Sequence, residues 1–350
     1  MRMDYKVIGL MSGTSLDGLD IAFCHFRLES GAWIYSVLQA ETIPYDRGWK
    51  KRLSDLPDCS ALDFARTDHE YGHLLGKLCR EFIGRYNISA DFISSHGHTI
   101  FHKPGEGYTS QIGNGAAIKA ETGLPVICDF RSGDVALGGQ GAPLVPTGDR
   151  LLFPGYDACL NLGGFANISY DAKGERIAYD ICPVNIVLNA LALKNGKNFD
   201  DKGAMASRGS VNLTLLERLN NLPYYSQTPP KSLGREWVTA NIWPLLVSSG
   251  LQVEDVLGTY CSHIAFQISR HTGKDKKKIL LSGGGTLNQY LITLLQAGSG
   301  SNLVIPDLLT INFKEAIIFA FLGVLRWRNE NNCLRSVTGA RMDHCSGAIY

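Results

Sequence analysis

Charge of one sign is missing from this chain. Across 350 residues, 34 Lys and Arg stand against 33 Asp and Glu, a formal net charge of +1. That balance leaves no electrostatic footprint for nucleic acid, and no basic stripe interleaves with aromatics. Cys-x-x-Cys pairs are missing as well. The nine cysteines (24, 59, 79, 128, 159, 182, 261, 333 and 345) are scattered, several inside apolar runs, as reduced structural thiols are. The weakly charged stretch at 279–306 is no membrane span either. Residues 279–306 carry almost no charge, yet Ser282, the glycines 283–285, Thr286, Asn288 and Gln289 interrupt them. Gly, Ser and Asp follow Met11 at once, so the N-terminus has no signal-peptide core. These absences lead us to expect a soluble, cytoplasmic protein with neither nucleic acid nor membrane as partner. The length favours two domains over one core.

What is present is punctuation by glycine. Val7 to Met11 is an apolar run that breaks into Ser12-Gly13-Thr14-Ser15-Leu16-Asp17-Gly18, and a second apolar run follows from Leu19-Asp20 to Phe26. The pattern predicts strand, tight loop, strand. Glycines let a loop backbone approach a ligand, and successive N–H groups in such a turn make an anion site. Asp17 has the chemistry to hold Mg²⁺ beside phosphates. An ordinary hairpin turn fits the same residues. Gly72-His73-Leu74-Leu75-Gly76-Lys77 is one residue short of a P-loop, lies mid-helix in a segment predicted over 62–86, and is rejected.

Further strands are predicted at 32–42, 92–95 and 125–130, and a helix at 111–122. The second strand runs into Ser95-His96-Gly97-His98, with His102 close behind. Polar contact with a substrate, structural histidines and a metal site all remain open there. The third delivers Asp129, Arg131 and Asp134 to a glycine loop at 138–141. An Arg at that place can grip a carboxylate or phosphate, or pair at the surface.

Near residue 150 the pattern restarts: a strand at 158–162, Gly163-Gly164, then a strand at 165–170. Two related domains would explain the echo. Ile177-Ala178-Tyr179 then leads into Asp180, which suits either a general base or the cap of a helix predicted from 186. A strand at 278–281 enters Gly283-Gly284-Gly285 and Asn288, a turn on which a flat ring such as adenine could lie, although it lacks the GxGxxG fingerprint. Lys314-Glu315 is expected to open an apolar helix through Trp327, with Glu315 in its first turn.

Taken together, GLMSGTSLDGLD (9–20), SHGHTIFH (95–102), DFRSGDVALGGQGAPLVP (129–146), NLGGFANIS (161–169), DKGAMASRG (201–209), PPKSLGREW (229–237), SGGGTLN (282–288), EAIIFAFLG (315–323) and SVTGA (336–340) resemble, in order and over nearly the whole chain, the bacterial anhydro-N-acetylmuramic acid kinases. The resemblance implies an α/β, two-domain actin-like sugar-kinase fold with duplicated ribonuclease-H-like domains around an ATP cleft. Residues 1–150 would form the first domain, completed by part of the C-terminal helix and tail, and 151–350 the second. The implied reaction opens the 1,6-anhydro ring of anhydro-N-acetylmuramic acid with water and phosphorylates O6, in cell-wall recycling. Asp180 matches the catalytic base. Gly13, Thr14, Ser15, Leu16, Asp17, Gly18, Leu19 and Asp20 would hold ATP phosphates with Mg²⁺ near Asp17. Gly163 and Gly164 would hold them too, and Gly283, Gly284, Gly285 and Asn288 would face adenosine. Ser95, His96, Arg131 and Glu315 would contact the sugar or orient the site. A homodimer is a family expectation.

Two departures stand out. Where the family usually has Thr-Gly-Pro-Gly-Asn after the base, this chain has Ile181-Cys182-Pro183-Val184-Asn185, and His98 replaces a usual Gln. If either lost glycine needed a positive φ, the cost would be about 1–2 kcal/mol and Asp180 would shift. A kinase on a related amino sugar without ring opening, or a nucleotide-binding regulator with weakened turnover, are the alternatives those changes allow.

Overall fold

The structure, a computed structural model, describes residues 3–13, 16–273 and 276–350. Thr14 and Ser15, with the phosphate role expected of them, lie outside the described residues. The chain divides into unit 1, Met1–Phe153 with Phe313–Tyr350, and unit 2, Pro154–Asn312.

Unit 1 runs β1 (Asp4–Ser12), β2 (Gly18–Glu29), β3 (Ala32–Pro44), α1 (Arg47–Asp55), α2 (Ala61–Tyr86), β4 (Phe92–Ser95), β5 (His98–Lys103), β6 (Tyr108–Ile112), α3 (Gly115–Thr122), β7 (Val126–Cys128), α4 (Ser132–Ala136) and α5 (Val145–Leu152). Unit 2 runs β8 (Ala158–Leu162), β9 (Phe165–Ala172), β10 (Glu175–Pro183), α6 (Asn185–Lys194), α7 (Leu213–Asn220), α8 (Arg235–Trp237), α9 (Trp243–Ser248), α10 (Val253–Ser269), β11 (Lys278–Ser282), α11 (Gln289–Gly298) and β12 (Asn302–Val304). Then follow α12 (Leu308–Trp327), α13 (Arg335–Thr338) and β13 (Ala348–Ile349).

The sheets are ordered β13-β7-β4-β1-β2-β3 and β10-β9-β8-β11-β12. In each, the first three strands form an antiparallel meander, and two later strands add in parallel on the far side of the first. Leaving aside β13, both sheets have the same 3-2-1-4-5 order, the ribonuclease-H-like topology. The echo between the two hairpins is therefore a duplication of whole units.

β1 shows why an apolar run this continuous is needed. Val7, Ile8 and Leu10 are fully buried, because helices cover both faces of a central strand. On one side α2 brings Tyr71, Leu75, Cys79 and Phe82 into the core of Ile8, Leu10 and Ile93. On the other lies α12. A Cβ on Gly9 would come within 2.1 Å of Ala316 O, and one on Gly323 within 2.5 Å of Ser94 Oγ, so glycine is what lets this helix sit against the sheet. Ser94 Oγ also donates to Phe319 O at 2.5 Å. By length and composition α12 could cross a membrane, but 78% of its apolar window is buried, as in a core helix. A buried ion pair between Lys314 Nζ and Asp149 Oδ1, 2.7 Å apart, links it to α5.

Three expectations are corrected. Residues 111–122 are not one helix: Gln111 and Ile112 finish β6, Gly113 turns the chain at φ 119°, and Asn114 caps α3 by accepting from Ala117 N at 3.1 Å. The strand at 125–130 shortens to β7, because Asp129 adopts φ 58° and ends it. Helix α12 opens at Leu308 rather than Lys314, so Glu315 sits two turns inside it and cannot serve the first-turn dipole.

Candidate active site

In unit 1 the polar residues gather at the C-terminal ends of β1 and β4. Leu16 N donates to Gly13 O at 3.2 Å, and Leu16 takes φ 60°, a left-handed conformation that costs a leucine about 1–2 kcal/mol. Gly18 admits no side chain, since Ile43 O would lie 2.4 Å from its Cβ. Asp17 is exposed. Asp20 accepts from Thr42 Oγ1 at 2.6 Å. Its pKa is raised, first by desolvation, with the Thr42 bond opposing and the charge of Asp17 adding to the rise.

Behind the turn, Tyr45 Oη donates to Ser12 Oγ at 2.9 Å, and His98 Nδ1 lies 2.9 Å from the same hydroxyl. Tyr45 and Tyr71 hydroxyls are 2.6 Å apart. Burial lowers His98 to about 4, so the ring is neutral near pH 7. The residue that departs from the family pattern is thus tied into a buried network at the end of β1.

Ser95 and His96 follow β4 directly. Ser95 is fully buried and accepts from Gly97 N at 3.2 Å. His96 Nδ1 is 2.8 Å from Gly97 O and so carries the proton, leaving Nε2 to accept from Arg131 Nε at 3.1 Å and Nη2 at 2.8 Å. Arg131 Nη1 donates to Gly141 O at 2.6 Å. Desolvation first, and then Arg131, lower the pKa of His96 well below its ordinary value. Desolvation lowers Arg131 to about 10 against the pull of Glu315. Glu315 keeps a solvent-open face, yet protein atoms crowd it closely enough to raise its carboxyl pKa, with Arg131 and Lys314 opposing and Asp20 adding. His96, Arg131 and Glu315 are thereby one electrostatic group, with Ser95 beside His96 on the chain.

Asp134 does not join them as a ligand-facing acid. It is fully buried, accepts from Thr338 Oγ1 and Gly141 N at 2.7 Å each, and holds the loop that Arg131 also grips. The three histidines form no metal cluster among the described residues: His96 and His98 are used as above, and His102 Nδ1 pairs with Thr109 Oγ1 at 3.1 Å.

In unit 2 the glycine turn after β8 caps α6 with its own backbone. Gly164 O accepts from Val184 N at 2.8 Å and Ile186 N at 3.3 Å, and Gly163 O from Asn185 N at 3.2 Å. No atom lies within 4 Å of where a Gly164 Cβ would be, so backbone is left open there. Gly283, at φ 83°, and Gly285 pack onto the end of β8, with Asn161 Oδ1 and Leu162 Cβ 2.5 and 2.8 Å from their would-be Cβ atoms. Gly284 faces out. Asn288 Oδ1 accepts from Leu291 N at 3.0 Å, which makes it the cap of α11.

Asp180 lies within β10, opposite Asn167, where the register shifts before Cys182. It is not the cap of α6; that position is Val184. Oδ2 accepts from Leu233 N at 2.9 Å, while Asp180 N donates to Lys231 O at 3.2 Å and Tyr224 Oη to Asp180 O at 2.7 Å. The Lys231 ammonium rests 4.7 Å from the centre of the Tyr224 ring. One amide does not offset the desolvation, which raises Asp180 to about 6. The lost family glycines impose no positive-φ strain: Val184 has φ −126° and Cys182 is not in the left-handed region. Ile181, Cys182 and Val184 are instead wholly buried in the core beneath the acid.

Leu233, Tyr224 and Lys231 were not singled out from sequence. A backbone donor has no residue-type signature; the motif PPKSLGREW at 229–237 carries Lys231 and Leu233 without marking a role for either.

Two units of 3-2-1-4-5 topology, each with a glycine turn at the C-terminal end of its first strand and the second with an acid in its third strand, define an actin-like sugar-kinase fold. The family model for anhydro-N-acetylmuramic acid kinase matches residues 5–350. Proteins named anhydro-N-acetylmuramic acid kinase from Picosynechococcus sp. and Sulfurovum sp. are 36% identical over 378 residues and 34% over 363, each covering 99% of both chains. One from Streptomyces coelicolor is 34% identical over 371 residues, 98% of this chain and 93% of its own. The chain belongs to the anhydro-N-acetylmuramic acid kinase family.

Proposed function

We propose that this chain uses ATP and water to convert 1,6-anhydro-N-acetylmuramic acid to N-acetylmuramic acid 6-phosphate and ADP. The observation that supports it most is Asp180, a carboxylate oriented by one amide and desolvated to a pKa of about 6. A base at that value is ionised near neutral pH and basic enough to take a proton in the transition state.

In the proposed reaction Asp180 takes a proton from the water that bonds to C1. The C1–O6 bond breaks, O6 takes up the electron pair and bonds to the γ-phosphorus, and ADP leaves. The phosphoryl step rests on positioning and charge neutralisation. We assign phosphate contacts to the 13–20 turn and to Gly163 and Gly164, and adenosine contacts to Gly283, Gly284, Gly285 and the free amide end of Asn288. Ser95, His96, Arg131 and Glu315 are assigned to the sugar, Arg131 to its lactyl carboxylate. Desolvation, with the charge of Asp17 adding to it, raises the pKa of Asp20, and a cation beside the two carboxylates would favour their charged forms. They fit Mg²⁺, which when bound neutralises phosphate charge. A cytoplasmic setting in cell-wall sugar recycling and a homodimer belong to the same proposal.

³¹P NMR tests it. The anhydro sugar should yield a 6-phosphate with stoichiometric ADP. Phosphorylation of N-acetylglucosamine or N-acetylmuramic acid alone would overturn the ring-opening step.

A further inference from the structure

The loop and tail that back Arg131 bring together a second set of donors, none of them assigned above to ATP or sugar. Asp134, Cys333 and His344 each present one metal-binding atom, and these atoms all lie within 4.8 Å of one another. Cys333 and His344 are antiparallel bridge partners whose amides donate to each other's carbonyls at 3.1 Å, so backbone pairing fixes two of the three. Asp134 is fixed by Thr338 and Gly141, which occupy two of its roughly four lone-pair positions.

His344 is oriented as a ligand would be. Its Nδ1 lies 3.3 Å from Met342 O, which places the proton there and leaves Nε2 bare. That nitrogen is buried, has no hydrogen-bond partner, and stands 3.7 Å from Asp134 Oδ1. The imidazole is only 10% exposed. Two buried acceptors facing each other at that range are relieved by a positive charge between them, either a metal ion or a proton on His344. The spacing suits an edge of a tetrahedron with bonds of about 2.1 Å, whose edges run to about 3.4 Å. The buried Ser346 hydroxyl adjoins the Cys333 sulfur and bonds to it.

We propose that Asp134 Oδ1, Cys333 Sγ and His344 Nε2 form a binding site for a thiophilic divalent cation of the zinc class, with the Ser346 hydroxyl or a water completing four ligands. The mixed oxygen, sulfur and nitrogen set selects such an ion over magnesium. On binding, the thiol proton leaves to solvent as the metal–sulfur bond forms. Thr338, Gly141 and the Met342 carbonyl orient the ligands from behind. The ion would fasten the C-terminal tail to the loop that Arg131 grips, and the site stands or falls independently of the kinase chemistry.

The test is a titration of chelator-stripped full-length protein with Co(II). One equivalent should bind, with a thiolate-to-cobalt charge-transfer band in the near ultraviolet and the intense visible bands of four-coordinate cobalt. One equivalent of Zn(II) should displace it and raise the melting temperature. Cys333→Ser should lose the charge-transfer band and His344→Gln the stoichiometric binding, whereas Cys345→Ser should keep both. His344→Gln, in the tail, serves if Cys333→Ser does not fold. Absence of the band in the parent protein, which would leave the space to a proton on His344, overturns the proposal. So does a band that survives Cys333→Ser or His344→Gln.

Discussion

The two units share one topology and treat their polar residues in opposite ways. In unit 1, the candidates Asp20, Ser95, His96 and Arg131 are already partnered. Ser12 is held by Tyr45 and His98, and His96 takes two bonds from Arg131. In unit 2, the Asp180 carboxylate has a single donor, Leu233 N, among the described residues and carries its charge against desolvation. The contrast separates two jobs that burial can do. Buried groups with full partners are rigid and inert, which suits recognition. A buried acid left short of donors is less stable and more reactive, which suits proton transfer.

The largest break in this contrast should come from Asp180→Asn. Loss of a general base is expected to lower kcat by about 10²–10⁴-fold, measured by coupled ADP release. The same change should raise Tm. Because the folded-state pKa exceeds the ordinary 3.8, folding holds this proton more tightly, so stability falls as pH climbs from about 4 through about 6. Removing the charge should recover about 1–2 kcal/mol at pH 7.5, after discounting for the acid's partial contact with solvent. A variant that loses activity and also melts lower would sink the idea of a poised acid.

Unit 1 should answer in the other direction. Arg131→Ala strips two donors from His96 Nε2 and one from Gly141 O, and is expected to cost about 2–3 kcal/mol of stability and raise the sugar KM about 10–100-fold. Calorimetric melting and initial rates read the two effects separately. An unchanged KM would remove Arg131 from the sugar site.

Titration sharpens the comparison further. With Asp180 near 6, kcat/KM should fall about tenfold between pH 7 and pH 5 along a single-proton curve. Tyr224→Phe removes the bond to Asp180 O and should lower kcat about 3–10-fold, worth about 1 kcal/mol, with KM unchanged. The smallest effect belongs to His98→Gln, which reinstates the usual family residue. Activity should stay within about twofold, since an amide can still meet Ser12. Stability against acid should improve. His98 is held near 4, below its ordinary 6.5, so the support it receives when neutral is lost as pH falls from 6.5 toward 4. A pH series of melting curves checks the change in slope.

Much of this was legible in the chain. The hairpins at 7–26 and 158–170, the long α2 and the glycine turn after β11 follow from period, apolar runs and glycines, all of which act within a few residues. Asp180 stood out as the acid ending an apolar strand. The helix start at 308 did not, because Leu308 and Leu309 are exposed and look like loop next to Pro306 and Asp307. Nor did the departures at 181, 182 and 184 betray that they fill a core; locally they resembled lost turn residues.

By itself, then, the sequence determined most of the elements, the duplication and the family, since these rest on local backbone preference and on motifs kept in order. Tertiary structure alone decided which of two similar aspartates is spent as a buttress and which is left reactive. Asp134 lies in α4 and Asp180 within β10, and among the described residues Thr338 from far along the chain and Gly141 from the adjoining loop donate to the first, while a single amide reaches the second. The pKa of an acid is set by the donors and the water around it, and those are chosen by packing over 50 to 200 residues of chain separation.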